Sequence, residues 1–442
     1  MNNKLKSNYN EFYNRRSILQ SKIGDGIAII FNAEKVTRNR DCHFKFRSDS
    51  YFHYLSGFPE SDSVLFVVGG NKPFSVLFCH QKEKEKEIWD GFIYGPMEAK
   101  EKFLIDEAHP LEKINEIAVK LIANRKKIFS LSTNTLKQQG LINQWIDYNK
   151  QQKRSGIQTP EMVVDLASIL DPMRVVKSSY EIELMQKSAD IASEAHIKGM
   201  RSTFPGKNEY QVEGEILNHF VQNGAGDPAY QSIVAGGKNA CTLHYIANNQ
   251  KMVSGDLLLV DAGCEFELYA SDITRTYPIN GKFTPAQKNI YEMVLLAQKK
   301  AIEEAKSENL FNAPHKAALS VIIDGLIDLK LCNGSRDEIE EKETYKDFFM
   351  HRTSHWLGLD VHDAGEYVDA DGQSIKLIDG NVLTIEPGCY IKSNPKIPKE
   401  FWGIGVRIED DVLINKNNPV VLTEKAPKEI SDLEMIVGKK ND

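Results

Sequence analysis

The sequence lacks long apolar runs and an excess of basic residues, and each absence excludes a class of protein. Its apolar stretches, such as the one that ends at Val260, are strand-sized, far shorter than the roughly 18 residues of a membrane-spanning helix. The 55 Lys and Arg residues are outnumbered by 62 Asp and Glu, giving a net charge of −7, which argues against nucleic acid as the main partner. We therefore expect no nucleic-acid partner and no membrane partner.

Two further absences concern the compartment. The six cysteines are scattered without any C-x-x-C pair, so we expect them to be reduced and mostly buried. The first residues, MNNKLKSNYNEFYNRR, contain no apolar core of a secretory signal. Both observations favour a cytoplasmic protein.

The composition is that of a globular protein with more than one domain. The 442 residues are 41% hydrophobic and 26% charged, and at roughly 150 residues per domain they suggest two or three domains. Apolar runs at 26–31, 63–68 and 75–79 are bounded by Gly, Asp and Asn, which is typical of buried strands. The first third of the chain is therefore predicted to alternate strands with helices.

A domain boundary is predicted near residue 175. The segment 151–156, QQKRSG, has no apolar periodicity, and Ser178 with Glu181 forms a capping box at the start of a helix. These signals divide the chain into an N-terminal α/β domain over residues 1–174 and a second domain over residues 175–442.

The second domain shows helices grouped beside strands. Helical patterns cover 285–305 and 314–329, whereas strand patterns begin at Leu257 and return after Val382. Helices grouped beside an antiparallel sheet favour an α+β fold over a doubly wound parallel sheet.

Two aspartates stand near the ends of predicted strands. Asp261 follows an apolar run, and Asp272 precedes another. If the chain turns about Phe266 and Glu267, the two carboxylates face each other across a hairpin, where opposite residues lie about 4.5–5.5 Å apart at Cβ. Carboxylates that close repel each other unless a cation or a proton lies between them. Two solvated aspartates on a loop remain the alternative.

Histidine is concentrated in the segment 351–363, HRTSHWLGLDVHD, which holds three of the chain's 11 histidines. Neutral imidazole is a common metal ligand, and imidazole also suits stabilisation of a carbonyl or an oxyanion. A chance cluster of core or surface histidines remains the alternative.

Two glutamates complete an oxygen-rich set. Glu386 precedes Pro-Gly at an abrupt strand end, and Glu409 follows Arg407 in GVRIED. Carboxylates with an imidazole suit Mn²⁺, Co²⁺ or Fe²⁺ better than a thiolate zinc site. Because four carboxylates carry as much negative charge as two divalent cations neutralise, the set favours a two-metal centre.

Several motifs together resemble the pita-bread metallopeptidases, a superfamily that includes aminopeptidase P, proline dipeptidase and methionine aminopeptidase. The segment HRTSHWLGLDVHD is similar to the signature shared by aminopeptidase P and proline dipeptidase, and the resemblance extends over about 175–435. It also rests on the motifs VDAG, ASDITRTYP, IEPG and GVRIEDD. The segment 46–58 resembles the N-terminal domain of bacterial aminopeptidase P, although the glycine stretch at 91–95 lacks the arginine often found there.

This resemblance implies an α/β N-terminal domain followed by a catalytic pita-bread domain that binds two divalent metal ions, with Mn²⁺ expected. Asp261 and Asp272 would chelate one ion, and His355 and Glu386 the other. Asp272 and Glu409 would bridge the two ions. Glu386 would also accept the proton as a hydroxide between the ions attacks the scissile carbonyl.

The resemblance also implies substrate-binding residues. His244 and His362 would bind the scissile carbonyl and its oxyanion, while His351 would line the proline side of the pocket. Arg407 with Asp41 would form a supporting polar pair, and Tyr390 and Trp89 would be pocket aromatics. In this family the N-terminal domain of a neighbouring subunit closes the site, so a homodimer or homotetramer is expected.

The function implied is hydrolysis of the bond between an N-terminal residue and a following proline, with such peptides as partners. A proline dipeptidase, which cleaves only dipeptides, is the nearest alternative. A non-catalytic pita-bread binding module and a metal-free hydrolase of the creatinase type are disfavoured, because all five ligand types are present.

Overall fold

The computed structural model describes residues 3–439 and divides the chain into two compact units, Met1–Met173 and Arg174–Asp442. Helices and strands occur in both units. Among the described residues, none of the helices combines the length and apolarity needed to cross a membrane.

The first unit is built on a mixed sheet. Its strands are β1 (Ile27–Phe31), β2 (Thr37–Asn39), β3 (Cys42–His43), β4 (Val64–Val68), β5 (Phe74–Cys79), β6 (Glu107–Pro110), β7 (Lys127–Ser130) and β8 (Met162–Asp165). β1 is antiparallel to β4 and parallel to β7, and the strands of the mixed sheet run in the order β6-β5-β4-β1-β7-β8, while β2 and β3 form a separate pair.

Helices accompany this sheet, as the alternating sequence pattern predicts. β1 and β4 are buried at every residue, which is typical of strands covered on both faces. The helices are α1 (Asn3–Lys22), α2 (Ser50–Ser56), α3 (Lys84–Asp90), α4 (Gly95–Lys102), α5 (Ile114–Ile122), α6 (Leu136–Gln151) and α7 (Ala167–Val175).

The second unit packs long helices beside short antiparallel sheets. The predicted capping box is present: the Ser178 side chain accepts from the Glu181 N–H, and the Glu181 carboxylate accepts from the Ser178 N–H. The helices are α8 (Ser179–Ser202), α9 (Glu209–Gln222), α10 (Pro285–Glu304), α11 (Ala313–Asp328), α12 (Arg336–Glu341) and α13 (Ile430–Ile436).

The strands of this unit are β9 (Asp227–Pro228), β10 (Ile233–Gly236), β11 (Leu257–Asp261), β12 (Cys264–Phe266), β13 (Tyr269–Ala270), β14 (Thr274–Pro278), β15 (Val382–Ile385), β16 (Gly388–Ile391), β17 (Ile404–Arg407), β18 (Asp410–Leu413) and β19 (Val420–Val421). Within the described residues they form four small sheets, in the orders β10-β11-β14, β13-β12-β9, β15-β18-β19 and β16-β17. The first and third sheets are joined by a bridge in which the Glu409 N–H donates to the Thr274 carbonyl at 3.0 Å.

The register of the β12–β13 hairpin corrects the expected one. Glu267 and Leu268, with φ of 50° and 68°, are the central residues of the turn, one position later than expected. Asp261 therefore pairs with Thr274 and not with Asp272. The strand partner of Asp261 therefore lies two residues later than expected. Because side chains alternate along a strand, a shift by two residues leaves both aspartates on the same face.

Buried charge fixes the loop that carries the histidine cluster. Asp363 is buried and receives Arg174 Nη2 and Lys177 Nζ, the latter at 3.0 Å. Although burial acts in the opposite direction, the charges of Lys177 and Arg174 hold the pKa of Asp363 below its ordinary value. The residue after His362 is thereby anchored to the start of the unit.

We expect Asp363→Asn to lower the free energy of unfolding by about 3 kcal/mol at pH 7, because buried Lys177 loses its counter-charge and buried Arg174 keeps only its ion pair with Asp360. Urea unfolding measures the change. Since the folded-state pKa lies below the unfolded value near 3.9, the wild-type advantage persists above about pH 4 and is lost as the pH falls through the folded pKa.

Glu308→Gln is the matched control, since it breaks an exposed ion pair with Lys376 at 2.9 Å. It should change the free energy of unfolding by less than about 0.5 kcal/mol. A loss below about 1 kcal/mol for Asp363→Asn, or one that does not shrink in acid, would contradict the anchoring role.

Candidate metal centre

Carboxylates converge where strands of two sheets end. Asp261 is the last residue of β11 and Asp272 precedes β14, whereas Glu386 follows β15 and Glu409 precedes β18. The bridge between Thr274 and Glu409 joins the two sheets at this level, and the Thr274 hydroxyl donates to Glu409 Oε2 at 2.7 Å. Rigid backbone therefore brings together residues that lie far apart in the sequence.

Tyr230 connects the two aspartates, and sequence reasoning missed it. Its hydroxyl lies 2.6 Å from Asp261 Oδ1 and also contacts Asp272 Oδ1. The Asp272 N–H in turn donates to the Asp411 carboxylate at 3.1 Å. A single tyrosine between two short strands carries no sequence signal, so only the fold could reveal this contact.

His355 presents one ring nitrogen to the carboxylates. Its Nδ1 lies 2.9 Å from the Trp356 carbonyl oxygen, which can only accept, so Nδ1 carries the proton. Its Nε2 lies 3.5 Å from Asp272 Oδ2 and 3.9 Å from Glu386 Oε1. This orientation of an imidazole through a carbonyl is typical of metal ligands.

Three of the expected ligands meet the spacing of a metal site. One ligand atom each from Asp272, His355 and Glu409 lies within 4.8 Å of the others. Glu386 and Asp261 lie at the edge of this group through their contacts with His355 and Tyr230. The structure thus brings together all five residues expected to hold metal.

Burial and mutual repulsion raise the pKa of these carboxyls. Burial, followed by the charge of Asp261, raises the pKa of Asp272 to about 8. Burial and Glu409 raise the pKa of Glu386 well above its ordinary value, and burial and Asp272 do the same for Glu409. Buried carboxylates in this arrangement need added cations or protons, so the donor set fits divalent metal ions.

Among the residues described, Arg407 is the one arginine that forms an ion pair with any of the four carboxylates. It contacts Asp261 Oδ2 through Nη2 and donates to Tyr390 Oη through Nη1 at 3.1 Å. Within the second unit Arg407 thus pairs with Asp261, and its expected pairing with Asp41 stays a prediction. The reason for the pairing with Asp261 is geometric, since β17 runs alongside the site and directs Arg407 at the end of β11.

Tyr390 differs from its expected place as a pocket aromatic. It is fully buried, and its hydroxyl lies 2.9 Å from His351 Nε2. Because His351 Nδ1 lies 2.7 Å from a carbonyl oxygen and donates to it, Nε2 accepts from the tyrosine. Tyr390 thus orients His351 and Arg407 from behind the cavity wall.

A cavity of about 470 Å³ opens beside the carboxylates, with His244 and His362 in its wall. The rings of His355 and His362 lie 4.4 Å apart between centroids. Burial and the neighbouring His355 lower the pKa of His362, which favours the neutral ring. Imidazoles beside a ligand cluster can donate to a carbonyl oxygen bound there.

Asp41 and Trp89 belong to the first unit. Both are exposed, and Trp89 exposes 88% of its surface. Their expected roles in substrate binding stay predictions.

Known proteins resemble this chain over nearly its whole length. The sequence profile of metallopeptidase family M24 matches residues 183–416, and that of the aminopeptidase P N-terminal domain matches residues 12–129. Xaa-Pro aminopeptidases of Haemophilus influenzae and Escherichia coli are 38% and 35% identical over 430 residues, covering 97% of this chain and 97% of each relative.

A solved structure, that of the aminopeptidase PepP of Pseudomonas aeruginosa, aligns with a TM-score of 0.95 at 41% identity and covers 97% of both chains. A proline aminopeptidase P II from Yersinia pestis aligns with a TM-score of 0.94 at 37% identity, covering 97% of this chain and 99% of that one. The expected resemblance and fold class are confirmed.

We expect Asp272→Ala and Glu409→Ala each to lose bound divalent metal and all hydrolytic turnover, because each removes a carboxylate from the centre of the cluster. Metal content after loading and desalting measures the change, with Asp379→Ala, an exposed aspartate, as control. Retention of the wild-type metal content and of turnover in either variant would contradict the ligand assignment.

Proposed function

Since the chain belongs to metallopeptidase family M24, we propose that its second unit holds two divalent ions and uses them to hydrolyse the bond between an N-terminal residue and a following proline. It acts as an Xaa-Pro aminopeptidase, a hydrolase of peptides that depends on metal. The observation that carries the proposal is the buried group of Asp272, His355 and Glu409, whose ligand atoms lie within 4.8 Å of one another.

Each residue has a distinct role in this proposal. Asp261 and Asp272 would hold one ion, and His355 and Glu386 would hold the other, while Asp272 and Glu409 would serve both. Bound there, divalent ions would supply an activated hydroxide and neutralise the charge that develops on the scissile carbonyl. Mn²⁺ is proposed because the set contains four carboxylates and a single imidazole and no thiolate.

Proton transfer and carbonyl binding fall to residues around the ligand set. Glu386 accepts a proton during attack, since its carboxyl is buried beside the cluster and its pKa is raised by burial and by Glu409. His244 and His362 line the cavity and donate to the carbonyl oxygen as it becomes an oxyanion.

His351 forms the proline side of the cavity. Its ring is held by the carbonyl of Arg352 at 2.7 Å and by Tyr390 at 2.9 Å, so it presents a fixed face. A rigid imidazole face packs against a pyrrolidine ring more completely than against a methyl group. Proline's fixed φ also lowers the entropy lost on binding.

We also propose a reducing, cytoplasmic setting and a homodimer or homotetramer. All six cysteines are free, and five of them are buried, which suits a reducing compartment. The oligomer rests on the family resemblance alone, and sedimentation equilibrium of the full chain tests it.

We expect His244→Ala and His362→Ala to retain metal but to lower kcat by about 10²–10³, because each removes a donor to the oxyanion and no ligand. Metal content and steady-state kinetics on the same preparations separate these effects. Loss of an ion in either variant would make that histidine a ligand instead.

We expect the Mn²⁺-loaded protein to favour Ala-Pro-Ala over Ala-Ala-Ala by roughly 10- to 200-fold in kcat/KM, since alanine lacks two methylenes that contact the pocket. Parallel assays of the two tripeptides measure the ratio. Equal values would indicate a general aminopeptidase, and cleavage confined to the dipeptide Ala-Pro would indicate a proline dipeptidase.

A further inference from the structure

A second cavity adjoins the one beside the carboxylates. It also measures about 470 Å³, a volume typical of small-ligand sites. Arg352 and Ser354 line both cavities, whereas His351 lines only the first and Thr353 only the second. The segment 351–354 therefore runs from the proline side of the first cavity into the second.

Two packed aromatic rings form part of the wall of the second cavity. Phe311 and Tyr367 pack edge to face with ring centroids 4.9 Å apart, and Tyr367 leaves 38% of its surface exposed. These rings offer apolar contact to a side chain but carry no charge.

Of the two arginines that line the cavities, Arg352 is the one whose guanidinium is available to bind a ligand. Its side chain is exposed and makes no hydrogen bond or ion pair with any residue described, whereas Arg407, the other guanidinium of the two cavities, is paired with Asp261. Burial, reinforced by the charge of Arg352, lowers the pKa of His315 to about 4, so this ring is neutral at pH 7. Arg352 thus supplies the positive charge of the second cavity.

Two polar atoms of residues that line this cavity also lack partners. Ser354 Oγ and Asn312 Oδ1 are buried without a hydrogen bond in the described structure. Buried polar atoms are rarely left unpaired in folded proteins, and such atoms at a cavity wall are open to a ligand or water. The Ser354 hydroxyl can donate to the same anion that a guanidinium binds.

We propose that the second cavity holds the residue after proline and that Arg352 binds the C-terminal carboxylate of a tripeptide substrate there. This inference rests on the proposed function, because it takes the proline to lie against His351. In the bound peptide, the Cα of the residue after proline lies 3.8 Å from the proline Cα, so this residue lies close to the ring that packs on His351. Arg352, which follows His351 in the protein chain, lines the second cavity. Free Xaa-Pro-Yaa tripeptides are then the preferred substrate class.

The test compares Ala-Pro-Phe with Ala-Pro-Phe-amide, which differ only in the terminal charge. We expect wild-type protein to prefer the free acid by about fivefold in kcat/KM, mostly through KM, as for a partly exposed ion pair. In Arg352→Met this preference should fall below about twofold, because kcat/KM for the acid drops towards that for the amide, and Arg352→Lys should retain part of the preference.

Arg154→Met, at an exposed arginine of the first unit, is the control and should behave as wild type. Calorimetric binding of Pro-Phe and of Pro-Phe-amide gives a second readout that needs no turnover. An equal preference for the acid in wild type and Arg352→Met, or no preference in wild type, would overturn the assignment of Arg352. Failure of the loaded enzyme to cleave any Xaa-Pro peptide would instead overturn the proposed function.

Discussion

Concentrated buried negative charge is the constraint on which the rest of the second unit depends. Asp261, Asp272, Glu386 and Glu409 meet at one place, and Arg407 supplies one guanidinium to them. Without further cations, the carboxyls must keep protons, which is why their pKa values rise with burial and mutual repulsion. Divalent cations that bind such a group neutralise the repulsion within its ionised form.

The same unit contains buried carboxylates that behave in the opposite way. Asp410, next to Glu409 in sequence, pairs with Arg275 at 2.6 Å and with Lys428 at 2.6 Å. Although burial opposes it, these cations lower the pKa of Asp410 to about 2. Because side chains alternate along a strand, Glu409 and Asp410 face different surroundings. Glu409 thus belongs to the metal cluster, whereas the neighbouring Asp410 forms ion pairs within the surrounding fold.

The two arginines beside the metal cluster differ in their partners. Arg407 is committed to Asp261 and to Tyr390, so it stiffens the ligand set and His351 together. Arg352, one residue after His351, makes no ion pair with any residue described and lines both cavities. Arg407 therefore stiffens the ligand set, whereas Arg352 is the arginine that we propose binds the carboxylate of the substrate.

The sequence by itself determined the elements, the two-part fold and the identity of the candidate ligands. The capping box at Ser178 and the strand ending at Asp261 are local patterns, and local patterns report backbone preference directly. The family motifs added the ligand set, which no spacing argument alone could assemble. Only the tertiary structure decided the contacts of Tyr230, the burial of Tyr390 and the pairing of Arg407 with Asp261. These depend on strand register and on packing between segments far apart in the chain, as the two-residue shift at Glu267 and Leu268 illustrates. A turn that requires left-handed backbone at two non-glycine residues gives little local signal, so its position was fixed by the strands on either side.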